Sequence, residues 1–156
     1  MSPSGAGTEG VHRLAVRVYY EDTDAGGIVY HASYLRFAER ARTEMLRDLG
    51  LDHRRLRDEH GLIFALRRCT VDFLAPARLD DLLEVQTRLA RRGGASLDLV
   101  QEVTLAGRVL ARVVVRLALL DQRHRAVRVP ATVATAFAAL RPTVAVDRDR
   151  TLGNDP

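Results

Sequence analysis

The chain has 156 residues, 24 basic and 20 acidic side chains, a formal net charge of +4, 47% hydrophobic residues and 28% charged ones. This describes one ordinary globular domain, long enough to bury a real core. Every basic residue is arginine and the arginines alternate with acids, which argues against a dedicated nucleic-acid face; no run of ~18 apolar residues spans a membrane; and the single cysteine, Cys69, excludes an internal disulfide and fits a reducing compartment.

The first ten residues are Ser/Gly-rich and carry no basic or apolar signal segment, so a disordered tail in a cytoplasmic protein is expected. From Val11 to Tyr20 apolar and polar residues alternate, predicting a half-buried strand with Leu14, Val16, Val18 and Tyr20 on one face. From about Ala32 to Leu49 the period changes to three or four, with Leu35, Ala38, Ala41, Met45 and Leu49 on an apolar stripe. Arg40 and Glu44 lie four apart and can pair. Gly50 is placed to stop this long helix. A short charged helix follows, ending at Gly61; His53 and His60 on it are seven apart, wrong for metal ligands on one helix, and read as surface residues.

Four strands come next. Leu62 to Ala75 is apolar and closed by Pro76. Leu82 to Arg92 directs Leu83, Val85, Thr87 and Leu89 inward. Gly93-Gly94 marks a hairpin. Ala95 to Leu105 and Arg108 to Asp121 each put apolar residues on one face. Val127-Arg-Val can rejoin the sheet, and Pro130 opens a last helix to about Leu140. Residues 142–156 are expected to fray. One strand, one long helix and a run of strands make an α+β domain over residues 11–141, without repeat or linker.

The junction between the first strand and the long helix reads Tyr20-Glu-Asp-Thr-Asp24-Ala-Gly-Gly-Ile-Val-Tyr-His31. Turns rich in Asp and Gly are common, so one plain reading is a solvated acidic bend. It is not a calcium loop, because Gly26 and Ser33 stand where that loop needs an oxygen ligand and a glutamate. No Gly-Lys-Ser/Thr follows to make a phosphate loop.

This string, with Tyr34-Leu35 and the run Glu39-Arg-Ala-Arg-Thr-Glu44, closely resembles the signature of hotdog-fold acyl-CoA thioesterases of the 4-hydroxybenzoyl-CoA thioesterase superfamily. The likeness is strongest to the tol-pal system-associated (YbgC-type) subfamily. It extends through Val71-Asp-Phe-Leu-Ala-Pro76, Leu79-Asp-Asp-Leu82 and Arg128-Val-Pro130, roughly residues 12 to 140. The resemblance implies a hotdog fold, an antiparallel sheet of about five strands wrapped around the long helix. It implies an enzyme that hydrolyses short- to medium-chain or aromatic acyl-CoA thioesters, with no cofactor beyond the coenzyme A of the substrate and no metal. It also implies a homodimer with the active site at the subunit interface, pairing into a homotetramer.

A thiol has an ordinary pKa near ~8.5 and leaves readily, so thioester hydrolysis needs little beyond a carboxylate and an oxyanion site. The resemblance maps the catalytic carboxylate onto Asp24, as nucleophile or as general base. Asp22 then reads as structural, bonding amides of the turn. The helix start near His31 offers free amides for the oxyanion, and in related thioesterases the amide at this position polarises the carbonyl. Gly26 and Gly27 fit a place where a side chain would obstruct the acyl group. Tyr20 and His31 join the catalytic set by the same resemblance, and Gly27 and Tyr30 the substrate-binding set. Tyr20 also reads as a core aromatic, and His31 as a helix cap that could orient Asp24. A basic pair at a similar hairpin binds the nucleotide in the 4-hydroxybenzoyl-CoA enzymes, which suggests Arg91 and Arg92. Here the hairpin is about two residues longer, and Gly93-Gly94 replaces a third basic residue; a solvated arginine pair is the plain alternative. The cluster Arg54, Arg55 and Arg57 has no assigned role.

Other chemistries fit less well. There is no Gly-x-Ser-x-Gly nucleophile elbow, no metal-ligand spacing, and Cys69 reads as an inert core thiol. The remaining alternatives are an enoyl-thioester hydratase, whose Asp and His pair with a Pro between is missing here, and a non-catalytic scaffold of the tol-pal envelope machinery.

Overall fold

A computed structural model of the protein describes residues 5–6 and 10–140. The rest of the expected N-terminal tail and the expected C-terminal tail lie outside the described residues. Within the former, Gly5–Ala6 forms a short strand, β1, paired with the next strand. β2 (His12–Arg17) leads through a 3-10 turn (Tyr20–Asp22) to the long helix α1 (His31–Asp48). The short helix α2 (His53–His60) and the strands β3 (Ile63–Phe73), β4 (Leu82–Arg92), β5 (Ser96–Leu105) and β6 (Arg108–Leu120) follow, then α3 (Ala131–Phe137). The sheet is antiparallel throughout, in the order β1-β2-β4-β5-β6-β3. This is the expected α+β hotdog arrangement of five long strands packed on one helix, with β1 added at an edge. Among the described residues no helix is long and apolar enough to cross a membrane.

Alternation in β2 and β4 turns Leu14, Val16, Leu83, Val85 and Thr87 inward. The face of α1 that meets them is rotated from the expected stripe: Tyr34, Phe37, Ala38, Ala41, Met45 and Leu46 are buried, while Leu35 is 40% exposed. Glu44 pairs with Arg47 rather than Arg40, in keeping with the better geometry of an acid placed N-terminal to its base. Asp52 caps α2, its Oδ1 accepting from the Arg55 amide, and Gly61 closes it at φ 64°.

The first strand stops at Arg17, three residues short of expectation. Val18 stays buried, with its backbone bonded to Asp80 and Asp81. The Asp22 carboxylate then takes the Tyr19 amide and curls the chain into the 3-10 turn. Tyr20 is therefore 84% exposed, which removes its reading as a core aromatic. A second departure lies on the outer face of the sheet, where Asp98 and Val100 are buried beside Val114. Arg116 lies over Asp98 in a two-bonded pair (2.8 and 3.0 Å), and Arg112 bonds Glu102, so arginine stems shield strand positions that alternation alone assigns to solvent.

The core beneath α1 contains a polar bridge. Gln101, fully buried, donates from Nε2 to the Ala38 carbonyl (2.9 Å) and to Thr87 Oγ1 (3.0 Å), and its Oε1 accepts from Arg42 (2.8 Å). Cys69, half-buried on β3, sits close enough to Arg42 that the guanidinium pulls its pKa down, while burial pushes it up more strongly.

Candidate active site

The junction string folds into a narrow ribbon pinned at both ends. Thr23 and Val29 form a bridge, and the Asp24 amide donates to the Ile28 carbonyl (2.9 Å). The turn between them is closed by the Gly27 amide on the Asp24 carbonyl (3.0 Å), with Gly27 at φ +77°, a left-handed backbone that favours glycine. The two aspartates divide the work. Asp22 is buried, its side chain holding the Tyr19 amide (2.8 Å) and its carbonyl accepting from Tyr30 N and Ser33 Oγ. Asp24 is exposed, and its Oδ1 accepts from the Gly26 amide (2.8 Å). Its Oδ2 has no partner among the described residues. A Cβ on Gly26 would lie 3.1 Å from Asp24 Oδ1, so glycine here leaves the carboxylate its place.

Asp24, Tyr20, Thr23, Ala25, Gly27 and Leu79 line an open cleft of about 400 Å³. Leu79 comes from the segment between β3 and β4, which docks on the ribbon through Val29 N to Ala77 O (2.9 Å) and an Ile28–Arg78 bridge.

Helix α1 begins directly after the ribbon. Tyr30 is its N-cap without a side-chain cap bond, and the Ser33 amide returns to the Tyr30 carbonyl (2.8 Å). The amides of His31 and Ala32 have no acceptor among the described residues, the usual condition of first-turn amides. They form a donor pair at the positive end of an 18-residue helix. His31 turns toward β3, its ring 6.3 Å from Phe73 and edge-on, and the Tyr30 ring lies 4.4 Å from that of His31. The His31 ring makes no hydrogen bond to Asp24, so it does not orient that carboxylate here.

Arg91 and Arg92 are not brought to this place. They end β4, whose other end lies beside the Val18–Asp81 contact, so roughly 35 Å of strand separates them from the ribbon. Both are exposed. Arg92 lines a separate cleft of about 400 Å³ with Gly93, Gly94, Arg128, Val129 and Ala134. Arg128 takes its place opposite the hairpin because Val129 N bonds the Gly94 carbonyl (2.8 Å).

Three contributors escaped sequence reading. Leu79 and Ala77 approach the ribbon across about fifty residues of chain, and Tyr34, read only as part of a motif, reaches Ala77. Tyr34 and Leu79 belong to the motif series, whereas Ala77 falls between Pro76 and Leu79, outside it.

Comparison with known proteins gives these features a context. A family model described as the thioesterase-like superfamily matches residues 18–137. An acyl-CoA thioester hydrolase YbgC of Escherichia coli is 53% identical over 98 residues, 63% of this chain and 72% of the relative. An acyl-CoA thioesterase YbgC of Haemophilus influenzae is 42% identical over 127 residues, 81% of this chain and 93% of the relative. A crystal structure of a probable thioesterase from Bartonella henselae superposes with a TM-score of 0.74 at 36% identity, over 77% of this chain and 99% of that one.

Proposed function

Because the chain belongs to the thioesterase-like superfamily, we propose that this thioester hydrolase cleaves acyl-CoA thioesters to the free acid and coenzyme A, with Asp24 as its catalytic carboxylate. The acyl-CoA class is supported by the names of the Escherichia coli and Haemophilus influenzae relatives. The role of Asp24 is carried by one observation: its carboxylate is half committed. Oδ1 is held by the Gly26 amide, and Oδ2 is left for a water or a carbonyl carbon.

The chemistry follows from that arrangement. As general base, Asp24 takes a proton from water as its oxygen attacks the thioester carbon. As nucleophile, it bonds to that carbon itself and the resulting mixed anhydride is hydrolysed. In both routes the carbonyl oxygen becomes an oxyanion, the C–S bond breaks and the thiolate departs. The amides at His31 and Ala32 are the donors for the oxyanion, in a role where loss of one donor typically costs about 10²–10³ in rate. Tyr20 and Gly27 border the carboxylate. His31 and Tyr30 flank the amides from the β3 side, and we assign them to substrate contact and water placement there.

Two chains complete the site in this reading. β1 covers one edge of the sheet, while β3 leaves an 11-residue edge with Ile63, Leu66 and Phe73 exposed. Such an edge calls for a partner strand. The Phe73 end of β3 lies at the Asp24 end of the sheet, and its Ile63 end lies at the Gly93–Gly94 end. Antiparallel pairing of two β3 strands about a two-fold axis brings the arginine hairpin of one copy to the Asp24 end of the other. Arg91 and Arg92 would then meet coenzyme A phosphates in trans. A cytoplasmic homotetramer associated with the tol-pal system, acting on short- to medium-chain or aromatic acyl groups, is the setting that accords with the motif series around Asp24.

The test is thiol release from acyl-CoAs of graded chain length and from aromatic acyl-CoAs, comparing wild type with Asp24→Asn. Turnover by wild type and its loss in the variant are expected. Equal rates would remove Asp24 from the mechanism.

A further inference from the structure

Tyr34 lies on the first turn of α1, 3% exposed, and its hydroxyl accepts a hydrogen bond from the Ala77 amide (3.0 Å). Ala77 is fully buried, so water does not replace this acceptor. The Ala77 carbonyl in turn accepts from Val29, and the ribbon residue next to Val29, Ile28, accepts from the Asp24 amide. A continuous path therefore runs from the helix that carries the oxyanion donors, through one phenol, to the ribbon that carries the carboxylate. The same segment carries Leu79, the wall of the cleft. It is held elsewhere by Leu74 and Ala75 on the Leu110 carbonyl, by Asp80 on Val18, and by Arg17 on the Asp80 carbonyl, but none of these ties reaches α1.

We propose that Tyr34 is a positioning residue, whose hydroxyl fixes the spacing between the Asp24 ribbon and the first-turn amides of α1. This rests on the thioesterase reading of the site and adds a residue to it. Burial raises the phenol pKa, only partly offset by the Ala77 amide, and the charge of Asp81 raises it further. The group is therefore a neutral hydroxyl across the working pH range, and its contribution is geometric. Displacements of about 1 Å in such an assembly can cost up to about a hundredfold in rate.

The experiment compares Tyr34→Phe with Phe37→Leu. Phe37 packs edge-on against Tyr34 (6.3 Å) in the same core and makes no hydrogen bond through its side chain, so Phe37→Leu reports on packing loss alone. With acyl-CoA substrate well below either melting temperature, Tyr34→Phe should lose roughly ten- to a hundredfold in kcat with KM within about twofold. Phe37→Leu should keep kcat while losing at least as much thermal stability. Amide exchange should quicken in residues 24–29 and at Ala77 in Tyr34→Phe, and not in β5 or β6. An active wild type with unchanged kcat and unchanged exchange in Tyr34→Phe overturns the positioning role and leaves the enzyme reading intact. A parallel kcat loss in Phe37→Leu also overturns it, since packing then suffices. A wild type inert toward every thioester overturns the enzyme reading first and this role with it.

Discussion

The two ends of the sheet carry the Asp24 ribbon and the Arg91–Arg92 pair, and they are built in different ways. At the Asp24 end the backbone is pinned from three directions, by β2, by the segment before β4 and by α1, and a single carboxylate is held by one of its oxygens. At the Gly93–Gly94 end Arg91 and Arg92 are exposed, and among the described residues the Arg92 guanidinium has only a long contact to the Ala134 carbonyl (3.4 Å). Bond-making chemistry needs fixed geometry, whereas attraction of a phosphate needs charge within reach. In the proposed function the pinned end is the reacting one and the exposed arginine end the holding one.

Asp24→Asn strains that comparison hardest. It keeps shape and the Gly26 bond but removes the base or nucleophile, and kcat is expected to fall by about 10²–10⁴ with little change in melting temperature. The neighbouring acid should behave in the opposite sense. Asp22→Ala removes the acceptor of the Tyr19 amide and should cost about 1 kcal/mol of stability, read by denaturant melts. A rate loss in Asp22→Ala as deep as that of Asp24→Asn would undo the division of labour between them. Gly26→Ala should reduce kcat by about tenfold through pressure on Asp24 Oδ1. The double variant Arg91→Ala, Arg92→Ala should raise KM for acyl-CoA severalfold and spare kcat, by removing uniform binding. Mixing it with Asp24→Asn sharpens the point: heterodimers regain one intact site only if the arginines act on the partner's carboxylate. At the small end, Gly94→Ala meets nothing within 4 Å and should leave kinetics unchanged.

Much of this was legible in the sequence because it is local. The spacing of Leu83, Val85, Thr87 and Leu89 places β4, Gly93-Gly94 places the hairpin that follows it, and the string around Asp24 marks the junction. The illegible parts depend on distant partners. Tyr20 looked like the last residue of a strand because alternation continues through it, yet Asp22 captures the Tyr19 amide and ends the ladder. Leu35 fitted a period of three to four, but the helix turns Phe37 and Leu46 to the sheet instead. Arg92 and Asp24 are both visible as residues, while their separation along β4 appears only once the register is known.

The Gln101 bridge beneath α1 works as an index pin. Its amide meets one carbonyl and one guanidinium of the helix, so sliding or rotating α1 by a turn would leave the buried amide with its Thr87 bond and without its two helix partners, a loss of about 1–3 kcal/mol. An all-aliphatic replacement of Gln101, Arg42 and Thr87 would fill the same volume and melt no lower, yet would let the helix settle in more than one seat. Enzymes engineered from this scaffold for heat tolerance should therefore keep the pin, because the seat of α1 on the sheet, and with it the place of the His31 and Ala32 amides, depends on it.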